Sequence, residues 1–102
     1  MYLYNTTFKV ELSLTNDFIY FIHEEIKPKI YAFDDVIGVH FLELLNVDAS
    51  DGNTYCLQIN FTDVTACNQY VLGYKNELFQ QIYKRYQDKV LHFSSVLKSV
   101  EL

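Results

Sequence analysis

Val36-Ile37-Gly38-Val39-His40-Phe41-Leu42-Glu43-Leu44-Leu45 and Thr54-Tyr55-Cys56-Leu57-Gln58-Ile59-Asn60-Phe61, joined by the polar segment Asn46–Asn53, decide the fold of this chain. The first run is β-branched at its start and broadly apolar. The second alternates: Tyr55, Leu57, Ile59 and Phe61 point one way, while Thr54, Cys56, Gln58 and Asn60 point the other, because strand side chains alternate with period two. Asp51-Gly52-Asn53 supplies turn chemistry, with Gly52 free to take a positive φ. The stretch reads as a β-hairpin in mid-chain.

Working outward, Tyr2 to Leu12 reads as a strand with Tyr2, Tyr4, Thr6, Phe8, Val10 and Leu12 on its buried face. Thr15 or Asn16 can cap a helix from Asp17 to Tyr31, and Asp17 suits its positive end. Phe18, Phe21, Ile22, Ile26 and Ile30 form its apolar stripe, Glu25 and Lys29 pair at i,i+4 on the wet face, and Pro28 must kink or end it. Beyond the hairpin, Thr62-Asp63 can cap a second helix running to about Gln87, with Cys67, Tyr70, Val71, Tyr74, Leu78, Ile82 and Tyr86 on one face. Gly73 can split that helix in two. Val90 to Val100 reads as a last strand, with Leu91, Phe93, Ser95 and Leu97 opposed to Val90, His92, Ser94 and Val96.

The order is therefore β-α-β-β-α-β, in one domain spanning residues 1–102. That order with a central hairpin predicts an α+β, ferredoxin-like fold: a four-stranded antiparallel sheet with both helices on one face. The first and third strands should be central. Phe8, Leu57, Ile59, Phe93, Ile22 and Val71 are the expected helix–sheet core.

One sheet face is left bare. Its expected occupants are Asn5, Thr7, Cys56, Gln58, Asn60, His92 and Ser94, with His40 if strand two pairs without a bulge. Leu3, Leu42, Leu44, Val90 and Val96 interrupt this polar set. An exposed mixture of apolar and polar groups marks an interface, and two such faces packed together would give an isologous dimer.

Composition narrows the partners. Eight basic against thirteen acidic residues give a formal net charge of −5, with no basic run, so nucleic acid and anionic membrane are poor partners. The N-terminus lacks a signal-peptide layout and no window approaches a membrane span, which predicts a cytoplasmic protein. Cys56 and Cys67 make neither a disulfide framework nor a zinc set, and read as two reduced thiols.

Chemical motifs are sparse. His23, His40 and His92 fall on three elements, with no metal-ligand spacing among them, and each reads as structural or solvated rather than as a general base. Gly-rich phosphate loops, nucleophile elbows and paired Cys-x-x-Cys are missing from the sequence. No metal or cofactor is implied. Tyr4, Phe18, Ile22, Ile26, Tyr70 and Tyr74 are candidates to line a helix-side cleft for a small molecule.

Met1-Tyr2-Leu3-Tyr4-Asn5-Thr6-Thr7, the late-helix Pro28, Tyr55-Cys56-Leu57-Gln58, and Leu91-His92-Phe93 before a hydroxylic pair and Val96-Leu97 together carry a resemblance over nearly the whole chain. The sequence resembles a family of short bacterial proteins of unknown function. That resemblance implies a ferredoxin-like dimeric α/β barrel, the fold of small antibiotic-biosynthesis-type monooxygenases. The family pattern has aromatic residues on helix one, which Phe18 and Phe21 match, then a His two positions before the Pro, where this chain has Ile26. The sequence thus predicts a homodimeric binding or interaction module. The alternative is a small cofactor-independent oxygenase or isomerase, which an open cleft of convergent tyrosines with a buried His would favour.

Overall fold

A computed structural model describes residues 1–101. The chain runs β1 (Tyr2–Val10), a 3-10 turn (Leu12–Leu14), α1 (Thr15–Phe21), a π-helical turn (Ile22–Ile26), α2 (Lys27–Tyr31), β2 (Val36–Glu43) and β3 (Asn53–Phe61). It continues through α3 (Val64–Gly73), α4 (Lys75–Tyr86), a second 3-10 turn (Gln87–Lys89) and β4 (Val90–Lys98). The strands form one antiparallel sheet in the order β2-β3-β1-β4, with the helices on one face. This is the ferredoxin-like α+β arrangement that the strand and helix order predicts.

β1 and β3 alternate as read: Tyr4, Thr6 and Phe8 are buried opposite Ile59, Leu57 and Tyr55, and Val10 and Phe61 are buried on the same face. Leu12 does not continue the strand but enters the 3-10 turn and is exposed. α1 starts at Thr15 without a side-chain cap; the Thr15 hydroxyl instead accepts from Asn53 Nδ2 at 3.1 Å, tying the helix start to β3.

Phe18, Phe21, Ile22, Ile26 and Ile30 are all buried. The π-helical turn explains how the helix tolerates Pro28, which has no N–H and whose ring would crowd the carbonyl four residues earlier. Wider winding just before the proline moves that carbonyl away, and α2 restarts with Pro28 in its first turn, where no N–H is needed. Glu25 and Lys29 bond across to α4 rather than to each other: Glu25 faces Arg85 at 3.7 Å and Lys29 donates to Gln81 at 3.3 Å.

Asp63 caps α3, accepting from the Ala66 N–H at 2.8 Å. The long second helix does break, at Tyr74 between α3 and α4. A Cβ on Gly73 would meet nothing within 4 Å. Its effect is therefore its poor helix propensity rather than any need for space.

Two points of backbone and register that the sequence left open are decided by the structure. Gly52 does not have a positive φ; Asn46, at φ 61°, is the left-handed residue of the hairpin loop. Glycine is needed at 52 because a Cβ there would lie 2.6 Å from the Val10 carbonyl oxygen, so the turn packs directly on the end of β1. β2 has a bulge between Val36 and Gly38, but it precedes His40, which pairs with Gln58 on the bare face.

The faces of β4 are the reverse of the expectation. Val96, Ser94 and His92 pair with Tyr4, Thr6 and Phe8, so His92 and Ser94 belong to the helix side; Leu91, Phe93, Ser95 and Leu97 lie on the bare face. Phe93 is 66% exposed and not a core residue. β4 sits at the sheet edge, beyond the main cover of the helices, and every residue of the strand after Val90 is exposed. Phe8, Leu57, Ile59 and Ile22 are core, and Val71 packs half-buried against it.

Candidate functional site

The bare face is the candidate site. Its four rows are Gly38, His40 and Leu42 from β2 with Leu44 just beyond its end; Thr54, Cys56, Gln58 and Asn60 from β3; Leu3, Asn5, Thr7 and Lys9 from β1; and Leu91, Phe93, Ser95 and Leu97 from β4. The two central rows are polar apart from Leu3, and the two outer rows carry the other apolar side chains. Asn5 donates to Thr7 Oγ1 at 3.3 Å, and Thr7 Oγ1 lies 3.7 Å from the Cys56 thiol. The side-chain oxygens of Asn5 and Asn60 are shielded, with no hydrogen-bond partner among the described residues. Around this middle, Leu42, Leu44, Leu91, Phe93 and Leu97 stand exposed. Six of the eight residues predicted for this face are on it: Asn5, Thr7, His40, Cys56, Gln58 and Asn60. The apolar β4 row was missed because both parities of that strand contain apolar residues.

The six residues proposed for a helix-side cleft come together, but as packed core. Tyr4, Phe18, Ile22, Ile26, Tyr70 and Tyr74 are all at most 8% exposed. Tyr4 and Tyr70 stand 5.6 Å apart by ring centroid, as do Tyr70 and Tyr74, while Phe33 closes the outside at 5.1 Å from Tyr74. The hydroxyls of Tyr70 and Tyr74 have no partner among the described residues. Burial raises both phenols, Tyr74 to about 12, so neither ionises near neutrality. A buried hydroxyl without a partner carries a desolvation cost of about 1–3 kcal/mol. Tyr70→Phe is therefore expected to raise stability by about 1 kcal/mol in chemical denaturation; a loss of that size would show that the hydroxyl is bonded after all.

The histidines occupy three separate surroundings. His23 lies in the π-helical turn, exposed, edge-on to Phe41 at 5.7 Å. His40 is exposed on the bare face. His92 stacks on Phe79 with ring centroids 4.0 Å apart. Desolvation in that stack lowers the imidazole below its ordinary value near 6.5. The unfolded chain then binds the proton more readily, so this contribution is complete above about pH 6.5 and is lost as pH falls toward the lower folded value. The thermal midpoint should drop between about pH 7.5 and about pH 5.5, and His92→Gln should remove that part of the drop; an unaltered pH profile would contradict it.

A further cleft of about 280 Å³ lies between the helices, lined by Phe21, Glu25, Lys29, Gln81, Lys84 and Arg85. Its Glu25, Lys29 and Arg85 are already engaged. Arg85 bonds Asp17 at 3.3 Å, and the Tyr86 hydroxyl donates to the same carboxylate at 2.7 Å. These bonds, from Tyr86 first and Arg85 next, hold Asp17 below the usual carboxylate range.

The model of a domain of unknown function, DUF4286, matches residues 1–100. The chain belongs to that family. No curated protein matches this DUF4286 chain. Among solved structures it is similar to a candidate antibiotic biosynthesis monooxygenase from Deinococcus radiodurans: TM-score 0.73, 11% identity, covering 100% of this chain and 95% of that one. HapK from Hahella chejuensis gives a TM-score of 0.69 at 12% identity, covering 98% and 93%. A dimeric ferredoxin-like protein from an uncultured marine organism gives 0.59 at 12% identity, covering 99% and 96%. At these identities the likeness establishes the shared fold alone. No helix of the DUF4286 domain is long and apolar enough, among the described residues, to cross a membrane.

Proposed function

We propose that this DUF4286 domain is a homodimeric interaction module, assembled by packing the bare sheet faces of two copies together. The observation that carries the reading is the pattern on that face: half-buried polar rows in the middle, flanked by exposed Leu42, Leu44, Leu91, Phe93 and Leu97. Two-fold packing would remove those apolar side chains from water while leaving polar middles opposed, an arrangement that tolerates trapped water and hydrogen bonds. One neighbour with this fold is described as a dimeric ferredoxin-like protein. The two free thiols suit a reducing compartment, and we place the protein in the cytoplasm.

The filled helix side supports a module over the oxygenase or isomerase alternative. The tyrosines that would line a cleft instead pack against Phe33, Phe61 and one another. His92 stands at the sheet edge on Phe79, away from that cluster. Any small-molecule ligand would then be met on an assembled surface rather than in the core. Light scattering at low micromolar concentration should return twice the 12.1 kDa chain mass. A monomer across the accessible concentration range would overturn the proposal.

A further inference from the structure

The two sheet edges are built differently. β2 is blunted: it has the bulge at its start, and the Val39 N–H is taken by the Tyr31 hydroxyl at 3.2 Å. β4 has neither device. It pairs with β1 over nine residues without a register shift, has no proline, and has no Lys, Arg, Asp or Glu between Val90 and Leu97. The bonds Ser99 N–H to the Met1 carbonyl, 2.9 Å, and Glu11 N–H to the Lys89 carbonyl, 3.1 Å, set the phase of the ladder. Odd-numbered residues of β4 bond inward to β1, because hydrogen-bonded and non-bonded pairs alternate. The N–H and C=O of Val90, His92, Ser94, Val96 and Lys98 therefore point outward along an open edge.

We infer that β4 is a second self-association site, pairing antiparallel with β4 of another copy about a two-fold axis at Ser94. The sequence is complementary to itself in that register. Ser94 faces Ser94, His92 faces Val96, Phe93 faces Ser95 and Leu91 faces Leu97, so no like charges are opposed. On the helix side, a cleft of about 440 Å³ between α4 and β4, lined by Asn76, Phe79, Gln80, Tyr83 and His92, would be covered by the same contact. Val96 and Tyr83, 51% and 60% exposed, lie on this side and are not explained by packing of the bare face. The pairing continues the sheet sideways and uses a different surface from the face-to-face contact, so a chain using both would assemble beyond the dimer.

The test reads backbone amides and mass on the whole chain. In concentrated wild-type protein, the amides of His92, Ser94 and Val96 should exchange with solvent at least ~10-fold more slowly than in dilute protein. Val96→Pro deletes an outward N–H without touching the β1 ladder and should halt assembly at the dimer; Val96→Lys is the second variant should the proline perturb the strand. Leu42→Glu, on the bare face at the opposite edge, should leave amide protection and concentration-dependent pairing through β4 intact. Unprotected amides at concentrations where the wild type is assembled would overturn the inference, as would Val96→Lys assembling as the wild type does. If Leu42→Glu alone abolishes all association, the bare face stands and the β4 edge falls.

Discussion

Phe8→Ala is expected to cost about 3–5 kcal/mol, the range for deleting a fully buried aromatic ring. Phe8 is fully buried on the central strand β1, edge-on to Phe18 at 5.1 Å and 6.0 Å from His92. Phe18 in turn reaches Phe41, Tyr55 and Tyr86, so the cavity would open where the sheet meets both helical segments. Domains of this size are stable by only about 5–15 kcal/mol, so the loss is a large share of the total. Chemical denaturation should show it as a shifted midpoint with an unchanged slope. Phe93→Ala, measured beside it in a monomeric background, should move stability by no more than about 0.5 kcal/mol, as usual for a surface position. A Phe8→Ala loss under about 1 kcal/mol would refute the placement of Phe8 at the heart of the core.

The contrast between these two phenylalanines shows which parts of the fold could be read from sequence. Strict alternation requires one covered and one uncovered face, and β1 and β3 have both, since each lies between two neighbouring strands with helices on one side only. Their buried residues, and with them the fold and six of the eight predicted face residues, followed from period two. β4 has helices over little of its length and a partner on one side only, so its sequence is under no such constraint. Apolar residues fall on both parities, and the choice of face for Phe93 and His92 depends on register with β1, which alternation alone does not contain. Gly52 is a similar case. Turn chemistry marked it correctly as a turn residue, but the reason is the backbone of β1 pressed against it, a tertiary fact. The tyrosine cluster was legible as a helical face. Whether such a face lines a cleft or fills it depends on how closely α3 approaches the sheet, and here Phe33 from the loop after α2 helps close the space.

Leu42→Glu is expected to convert the protein to a folded monomer at low micromolar concentration, raising the dimer dissociation constant at least ~100-fold. Leu42 is 49% exposed in the single chain and pairs with Cys56, beside the polar middle of the bare face. Its side chain makes no contribution to the helix-side core, so the fold should survive with its unfolding midpoint nearly unchanged. In an isologous interface every substitution acts twice, and each copy would bury a new carboxylate against an apolar row with no cation provided to meet it. The lysine on this face does not relieve it: Lys9 already pairs with Asp51 at 2.9 Å, and it stands on β1, two strands away from β2. Leu72→Glu is the matched control. Leu72 is 83% exposed on α3, in the helical layer, and a charge there should leave the mass at twice 12.1 kDa. If Leu72→Glu dissociates the dimer while Leu42→Glu does not, the contact runs through the helices and the face assignment is wrong. Loss of the dimer in Leu42→Glu alone would locate association on the sheet.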